Sequence, residues 1–498
     1  MWLDYVVLGL YIASMIAITV YTKNRSKSVN EFLLAGKKGL NGWMSAFSYG
    51  TTYFSAVIFI GYAGKFGSQY QLAATWIGVG NAVIGALFAW IVLAKRTKRM
   101  TSKLSAKTMP EFFEKRYDSK NLKFLSAIVI FLFLIPYSAS VYSGLSSLFE
   151  SVFNIPGWVV MIVLAGITAL YLFFGGYFAT ALSDFVQGII MLVGVVLMVI
   201  YFLNYETVNW DISELNWFTF ESAKKGIYGD TVSLLSLILL TSFGVWALPQ
   251  TIHKYYAVRD NKAIMQGTVV STIFALVIGF SAYFVGGLYS KFNLTATNPD
   301  YFIPEMLMLV IPAGLMGVIA VLILSASMST LSSVSLASAS VVAVDLYKGK
   351  INKNAEDKKV SLVMRVLCLI FIAISVILAI LNEKFHISAI AYLMGLSWGT
   401  LAGCFIGPYV LGVLWKKVTK TAVWVSIIGS LVLTAILIFV FGFDMANWNC
   451  SLSLALKNGI SCSPLIGVIC MAYSVTSTFF VSLFTRKFDA SIIEKAFN

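Results

Sequence analysis

Between Leu324 and Val342 the chain reads L-S-A-S-M-S-T-L-S-S-V-S-L-A-S-A-S-V-V, a helix-length segment dense in hydroxyls. At about 100° per residue, Ala326, Ser329, Thr330 and Ser333 (i, i+3, i+4, i+7) fall on one face, with Ser332 flanking Ser329. Two chemistries suit such an arc. Small hydroxyl-bearing residues let membrane helices approach closely. Alternatively, a hard monovalent cation that sheds water needs several oxygen ligands, and serine, threonine and bare carbonyls supply them without fixed charge. The second chemistry-bearing residue is Asp184. An acid inside an apolar span is costly and marks a functional site by default, although so near the span's start it also suits a solvated acid favoured by the helix dipole. Apart from Asp184, no acids, bases or metal ligands converge at one depth, so an enzyme is not expected. Five cysteines lack metal-ligand spacing and the only histidines are His253 and His386, so neither zinc, haem nor an organic cofactor is expected.

The elements that must position these residues are membrane spans. With 498 residues, 59% hydrophobic and 12% charged, and a mean hydropathy of +0.85, the chain reads as an all-α polytopic membrane protein whose main partner is the lipid bilayer. A net charge of +14 raises the question of nucleic acid, but the basic residues fall in short runs between apolar spans, where they set topology. No nucleic-acid partner and no obligate protein partner are expected. About 13 spans can be marked, at 3–22, 41–66, 72–94, 122–148, 157–174, 180–203, 231–250, 264–289, 312–343, 361–381, 387–414, 421–442 and 464–485. The first reads as retained, because no basic n-region or cleavage site accompanies it. Basic loops follow odd-numbered spans: Lys23, Arg25, Lys27, Lys37 and Lys38; Lys95 to Lys107; Lys254, Arg259 and Lys262; Lys348 to Lys359; Lys416, Lys417 and Lys420. The positive-inside rule therefore puts the N-terminus outside and the C-terminus, from Arg486-Lys487, in the cytoplasm of a multi-pass cell-membrane protein. Asp345 adjoins a basic loop and reads as a local cap or pair. Cys450 and Cys462 share an external loop, and pairing and free thiols are both open.

Spans two and seven have polar, glycine-bearing centres, S-Y-G-T-T-Y-F-S-A (Ser48 to Ala56) and S-F-G-V-W-A-L-P (Ser242 to Pro249). Five spans separate their starts, so they cross in opposite directions, as the first helices of an inverted repeat must. Broken helices of this kind expose carbonyls at the midplane, where irregular backbone is tolerated only if buried or lining a cavity. A glycine-kinked packing helix is the other reading.

An ordered set of motifs resembles the sodium:solute symporter family: E-F-L-L-A-G-K-K-G-L (Glu31 to Leu40), F-I-G-Y-A-G (Phe59 to Gly64), L-Y-L-F-F-G-G-Y (Leu170 to Tyr177), S-D-F-V-Q-G (Ser183 to Gly188), M-S-T-L-S-S (Met328 to Ser333), D-L-Y (Asp345 to Tyr347) and I-G-P-Y-V-L-G-V-L-W-K-K-V-T (Ile406 to Thr419). The resemblance implies a LeuT-like core of ten helices in a 5+5 inverted repeat, with one extra helix before it and two after. The whole of 1–498 would be one transporter domain, with repeats at 41–204 and 231–414 and accessory helices at 421–485. It also implies import of a small organic solute, a carboxylate or amino acid, by sodium symport with alternating access. The main sodium site would comprise the Thr51 and Phe54 carbonyls, the Ala326 carbonyl and the Ser329 and Thr330 hydroxyls. A second site that some members have would comprise Asp184, Ser329, Ser332 and Ser333.

Solute would then meet spans two, four, seven and eleven between the repeats, at Tyr53, Ser55 and Ala56, Tyr137 and Ser140, Thr241, Val245, Trp246 and Pro249, and Ser397 and Trp398. The stretch Ala247 to Asp260 is most similar to the pantothenate, monocarboxylate and proline branches. Two departures set it apart from proline carriers: Tyr53 stands where they have an aspartate, and Thr241 and Val245 where they have aromatics. No lysine or arginine is expected at mid-membrane depth on these helices, and His253 and Lys254 read as solvated loop residues. At ~100 mV one sodium contributes about 2.3 kcal/mol electrically and a ~tenfold gradient about 1.4 kcal/mol, so one ion supports roughly 500-fold and two roughly 10⁵-fold accumulation of a neutral solute. Alternatives are a proton-coupled symporter with Asp184 as carrier, a sugar or sialic-acid carrier, and a membrane-embedded sensor.

Overall fold

The computed structural model describes residues 2–22, 29–34, 39–218, 229–294, 296–385, 389–485 and 490–497. Of the residues read above from sequence, Lys23, Arg25, Lys27, Lys37, Lys38, His386, Arg486 and Lys487 lie outside this set. Among the described residues, 11 helices are long and apolar enough to cross a membrane. They include α1 (Trp2–Thr22). The second crossing opens with α2 (Gly42–Tyr53), which the Asn41 side chain caps by accepting from Met44 N at 2.8 Å, and resumes through a π-helical turn at Val57–Tyr62 into α3 (Ala63–Tyr70). The helical run Val57–Leu104 then breaks at Gln71, whose φ is +53°. Next come α4 (Lys120–Phe153) and α5 (Gly157–Asn204). A second break falls inside α5 at Gly176, where φ is +65° and a side chain would be strained. Dividing the runs at Gln71 and Gly176 gives segments that line up with the sequence ranges 72–94, 157–174 and 180–203.

The elements that follow include α6 (Asp230–Gly244), α7 (Pro249–Ala257), α8 (Asn261–Gly287), α9 (Met316–Ser340), α10 (Asp357–Phe385), α11 (Ile390–Ile406), α12 (Lys420–Asp444) and α13 (Ser463–Phe484). The hydroxyl-rich α9 forms the centre. In the helix Met316–Ile351 that contains it, 94% of the most apolar window is buried, against 17% for α1 and 28% for α12. A face rich in serine and alanine can be buried on all sides because small side chains let neighbouring backbones close in. The same device joins α3 to α8, where a Cβ on Gly67 would come within 2.6 Å of the Gly286 Cα.

Two contacts fix directions. Leu40, just before α2, pairs with the segment just after α7: Leu40 N donates to Ala257 O at 2.9 Å and Arg259 N donates to Leu40 O at 3.0 Å. The second crossing therefore begins where the seventh ends, and the two broken helices run antiparallel. Asp4 on α1 accepts from Gly317 N at 2.7 Å and so caps the start of α9.

Candidate functional site

Helix α2 stops because Phe54 turns to extended geometry (φ −105°, ψ 110°), its N–H still donating to Gly50 O. The last carbonyls of a helix have no intrahelical donors, and here they are buried in the centre of the protein, where they need partners from elsewhere. Helix α9 provides them. The Ser329 hydroxyl lies 3.0 Å from Thr51 O, 3.1 Å from Ala326 O and 2.9 Å from Ser325 O. The Thr330 hydroxyl lies 3.4 Å from both Thr51 O and Thr52 O and 3.0 Å from Ala326 O. Thr51, Phe54, Ala326, Ser329 and Thr330 are all fully buried. The structure thus brings these two hydroxyls together with the Thr51, Thr52, Ser325 and Ala326 carbonyls, without fixed charge, a donor set that suits a small hard cation, while Phe54 marks the end of α2 beside them. Thr52 O is an additional oxygen that the sequence did not single out.

One helical turn further along α9, about 6 Å away, the surroundings become charged. Ser333 and Asp184 are both buried, but they meet through a residue that the sequence reading placed in solvent. Lys254 is 1% exposed, and its ammonium lies 2.8 Å from Ser48 Oγ, 2.8 Å from Ser333 Oγ and 3.4 Å from Asp184 Oδ2. Ser48 donates to the same carboxylate oxygen at 2.5 Å, Ser333 lies 2.8 Å from Thr52 Oγ1, and the Tyr177 ring faces the ammonium at 5.3 Å. Ser332 bonds back to Ser329 O within α9. The expectation of solvated His253 and Lys254 is therefore corrected: both are buried. Pro249 restarts the helix after the Val245–Leu248 break, so α7 carries both residues inward, where each is buried. The signal available in sequence was a lysine within a turn and a half of a helix-starting proline.

The second interruption has its own satisfaction scheme: the Thr251 hydroxyl donates to Val245 O at 2.9 Å and Leu248 O at 2.8 Å. Between the two breaks stands an aromatic group. Tyr53 and Tyr137 flank Trp398 with ring centroids 6.0 and 5.6 Å away. The Tyr53 hydroxyl donates to Thr241 O at 2.7 Å. The Tyr137 hydroxyl faces Ser55, Thr330 and Trp398 without a hydrogen bond of standard length, and the Trp398 indole N–H is likewise buried without a partner. Other expected solute residues are committed to the backbone. Ser140 donates to Tyr137 O at 2.7 Å, Trp246 to Ile84 O at 2.9 Å, Thr241 to Leu237 O at 2.8 Å, and Ser397 to Phe133 O. Ser55 accepts from Val57 N at 3.3 Å, Ala56 leads into the π-helical turn, and Val245 and Pro249 bound the second break.

Asp345 also departs from its local reading. It is 2% exposed and bonds Thr108 at 2.8 and 3.0 Å and Lys123 at 3.5 Å, all more than two hundred residues away in sequence. The reason is that the helix carrying α9 continues to Ile351 instead of ending near 343, which keeps Asp345 inside the packing. Between the C-terminal part of α4, the 297–301 segment, the end of α10 and the start of α11, a cavity of about 440 Å³ is lined by residues including Ser143, Asp300, Tyr301 and Glu383. Burial pushes the Asp300 carboxyl up to about 6, against the opposing pull of the Ile390 N–H and Lys65. Cys450 and Cys462 are free thiols.

The model of the sodium:solute symporter family matches residues 32–429. An osmoregulated proline transporter of Bacillus subtilis is 28% identical over 430 residues, covering 83% of this chain and 84% of its own length. A sodium/proline symporter of Haemophilus influenzae is 27% identical over 432 residues, 83% of each chain. Among solved structures, a Na⁺-coupled sialic acid symporter in a substrate-bound, outward-open state has a TM-score of 0.73 at 18% identity, covering 97% of this chain and 98% of that one. A nucleobase-cation-symport transporter in a closed conformation has a TM-score of 0.54 at 13% identity over 95% and 98%. At these identities the solved structures establish a common transporter fold.

Proposed function

Because this chain belongs to the sodium:solute symporter family, a multi-pass membrane carrier that imports a small-molecule solute with sodium as its coupling ion, we propose that sodium binds at the junction of α2 and α9 and that the solute carries a carboxylate. The ligands are the Thr51, Phe54 and Ala326 carbonyls and the Ser329 and Thr330 hydroxyls. The observation that carries this reading is the convergence of Ser329 and Thr330 on the Thr51 and Ala326 carbonyls across two helices. An ion there links the broken helix to α9, so its occupancy biases how the two pack, which is what alternating access requires.

The carboxylate class is supported by two buried donors, the Tyr137 hydroxyl, which faces Thr330, and the Trp398 indole N–H, whose ring packs against Tyr137. A buried unpaired donor costs about 1–3 kcal/mol, which an anionic oxygen would recover. Tyr53, Ser55 and Ala56, Ser140, Thr241, Val245, Trp246, Pro249 and Ser397 complete the solute surroundings in this reading. The named relatives carry proline, while Tyr53, Thr241 and Val245 depart from the proline-carrier pattern, so the class taken is amino acids and small monocarboxylates. The repeats are 41–204 and 231–414, with 421–485 accessory; the N-terminus is extracellular and the C-terminus cytoplasmic. Uptake by reconstituted vesicles, screened with proline, other amino acids and small monocarboxylates under an inward sodium gradient, tests the reading. Uptake that persists unchanged when potassium replaces sodium would contradict it.

A further inference from the structure

We infer that the Lys254 ammonium is a tethered cation that occupies the place of a second sodium ion, so that this carrier takes up one sodium per cycle. The inference rests on the sodium reading of the Thr51–Thr330 cluster and goes beyond it.

A lysine ammonium has three donors and no acceptor. Lys254 has three oxygen partners, Ser48 Oγ, Ser333 Oγ and Asp184 Oδ2. The hydroxyl protons are then free to point onward, from Ser48 to Asp184 and from Ser333 to Thr52 Oγ1. Every donor on the ammonium, Ser48 and Ser333 is used. With the Tyr177 ring on a further side, this is a complete cation cage: one carboxylate, two hydroxyls and an aromatic face.

The same oxygens, with the second carboxylate oxygen of Asp184, which is buried without a partner, and Thr52 Oγ1, form a donor set that sodium would accept. The ammonium sits among them at ligand-like distances. It is also covalently held and cannot be delivered across the membrane. The two cages therefore differ in kind. The Thr51–Thr330 cluster has neutral oxygens and no internal cation, whereas the Asp184 cage carries its own positive charge. A mobile ion entering the second cage would have to displace an ammonium from a buried carboxylate, which is unfavourable because it leaves charges unpaired. With one ion driving transport, accumulation of a neutral solute is limited to roughly 500-fold at ~100 mV and a ~tenfold sodium gradient.

The test counts sodium ions on the purified full-length protein, using equilibrium binding of radioactive sodium at pH 8.5 in the absence of solute. The unaltered protein is expected to bind about one ion per chain with a Hill coefficient of about one. Lys254→Met opens the cage and should bind about two, and Lys254→Met combined with Asp184→Asn should return to about one. Two ions in the unaltered protein would overturn the inference, and that measurement needs no variant to fold. A Lys254→Met protein that retains its solubility and binds only one ion would also overturn it. No sodium binding by the unaltered protein would instead sink the symport reading of the main cluster.

Discussion

Replacing Ser329 with alanine removes one oxygen from the centre of the main cluster while leaving the carbonyls that it bridges. The Ser329 hydroxyl stands 3.0 Å from Thr51 O and 3.1 Å from Ala326 O, so an ion held by those carbonyls is within its reach. Interactions of a neutral oxygen with a full charge contribute about 1.5–3 kcal/mol. Ser329→Ala should therefore raise the sodium concentration giving half-maximal uptake by about 10- to 100-fold. Adding Thr330→Ala should raise it further, by less than the product of the single effects, because both hydroxyls share the Thr51 and Ala326 carbonyls. A second readout separates ion binding from packing. Sodium at a hundred times its Kd stabilises the folded protein by about 2.7 kcal/mol, and a tenfold loss of affinity reduces this to about 1.4 kcal/mol. In potassium only the lost helix–helix hydrogen bond counts, about 1 kcal/mol. The assay is the sodium titration of uptake in vesicles paired with thermal unfolding in sodium and potassium. An unchanged half-saturating sodium concentration, with the potassium melt lowered as much as the sodium melt, would show that the hydroxyls only pack.

Three further outcomes are expected. Asp184→Asn leaves the Lys254 ammonium buried without its counter-charge and should cost about 3–5 kcal/mol; adding Lys254→Met should restore a large part, measured by thermal unfolding, and a double variant no more stable than the single would argue against the pair. Tyr137→Phe should raise the KM for solute about tenfold while leaving half-saturating sodium unchanged at saturating solute; equal shifts in both would place Tyr137 in the ion site instead. Asp300 holds its proton more tightly when folded, with its carboxyl at about 6 against about 4 unfolded. Its contribution to stability is thus complete below about pH 4 and lost as pH rises through about 6, a change of about 3 kcal/mol. Asp300→Asn should flatten the pH dependence of the melting temperature across that interval.

The parts of the site legible in sequence were those governed by local periodicity. Ser329 and Thr330 share a face because a helix repeats every 3.6 residues, and the S-aromatic-G segments announced breaks that the backbone makes at Phe54 and at Val245–Leu248. Lys254 was illegible for a definable reason. Charge patterning assigned it to the basic loop after span seven, but its depth depends on where α7 restarts and on which neighbours α7 meets. Only the tertiary arrangement brings Ser48, Asp184 and Ser333, from three other parts of the chain, around one nitrogen. Asp345 failed in the same way, since a span boundary drawn from hydropathy near residue 343 cut off helix that runs on to Ile351. The unpaired donors of Tyr137 and Trp398 are a third case, because an unmet hydrogen bond is a property of the surroundings and not of the residue.

Whether sodium is coupled to solute at the α2–α9 junction is decided by initial rates of uptake against sodium concentration in vesicles containing the unaltered protein or the Ser329→Ala, Thr330→Ala double variant. Uptake by the unaltered protein should depend on sodium, with a half-saturating sodium concentration at least about tenfold higher in the variant. Superimposable sodium curves for the two proteins would contradict it.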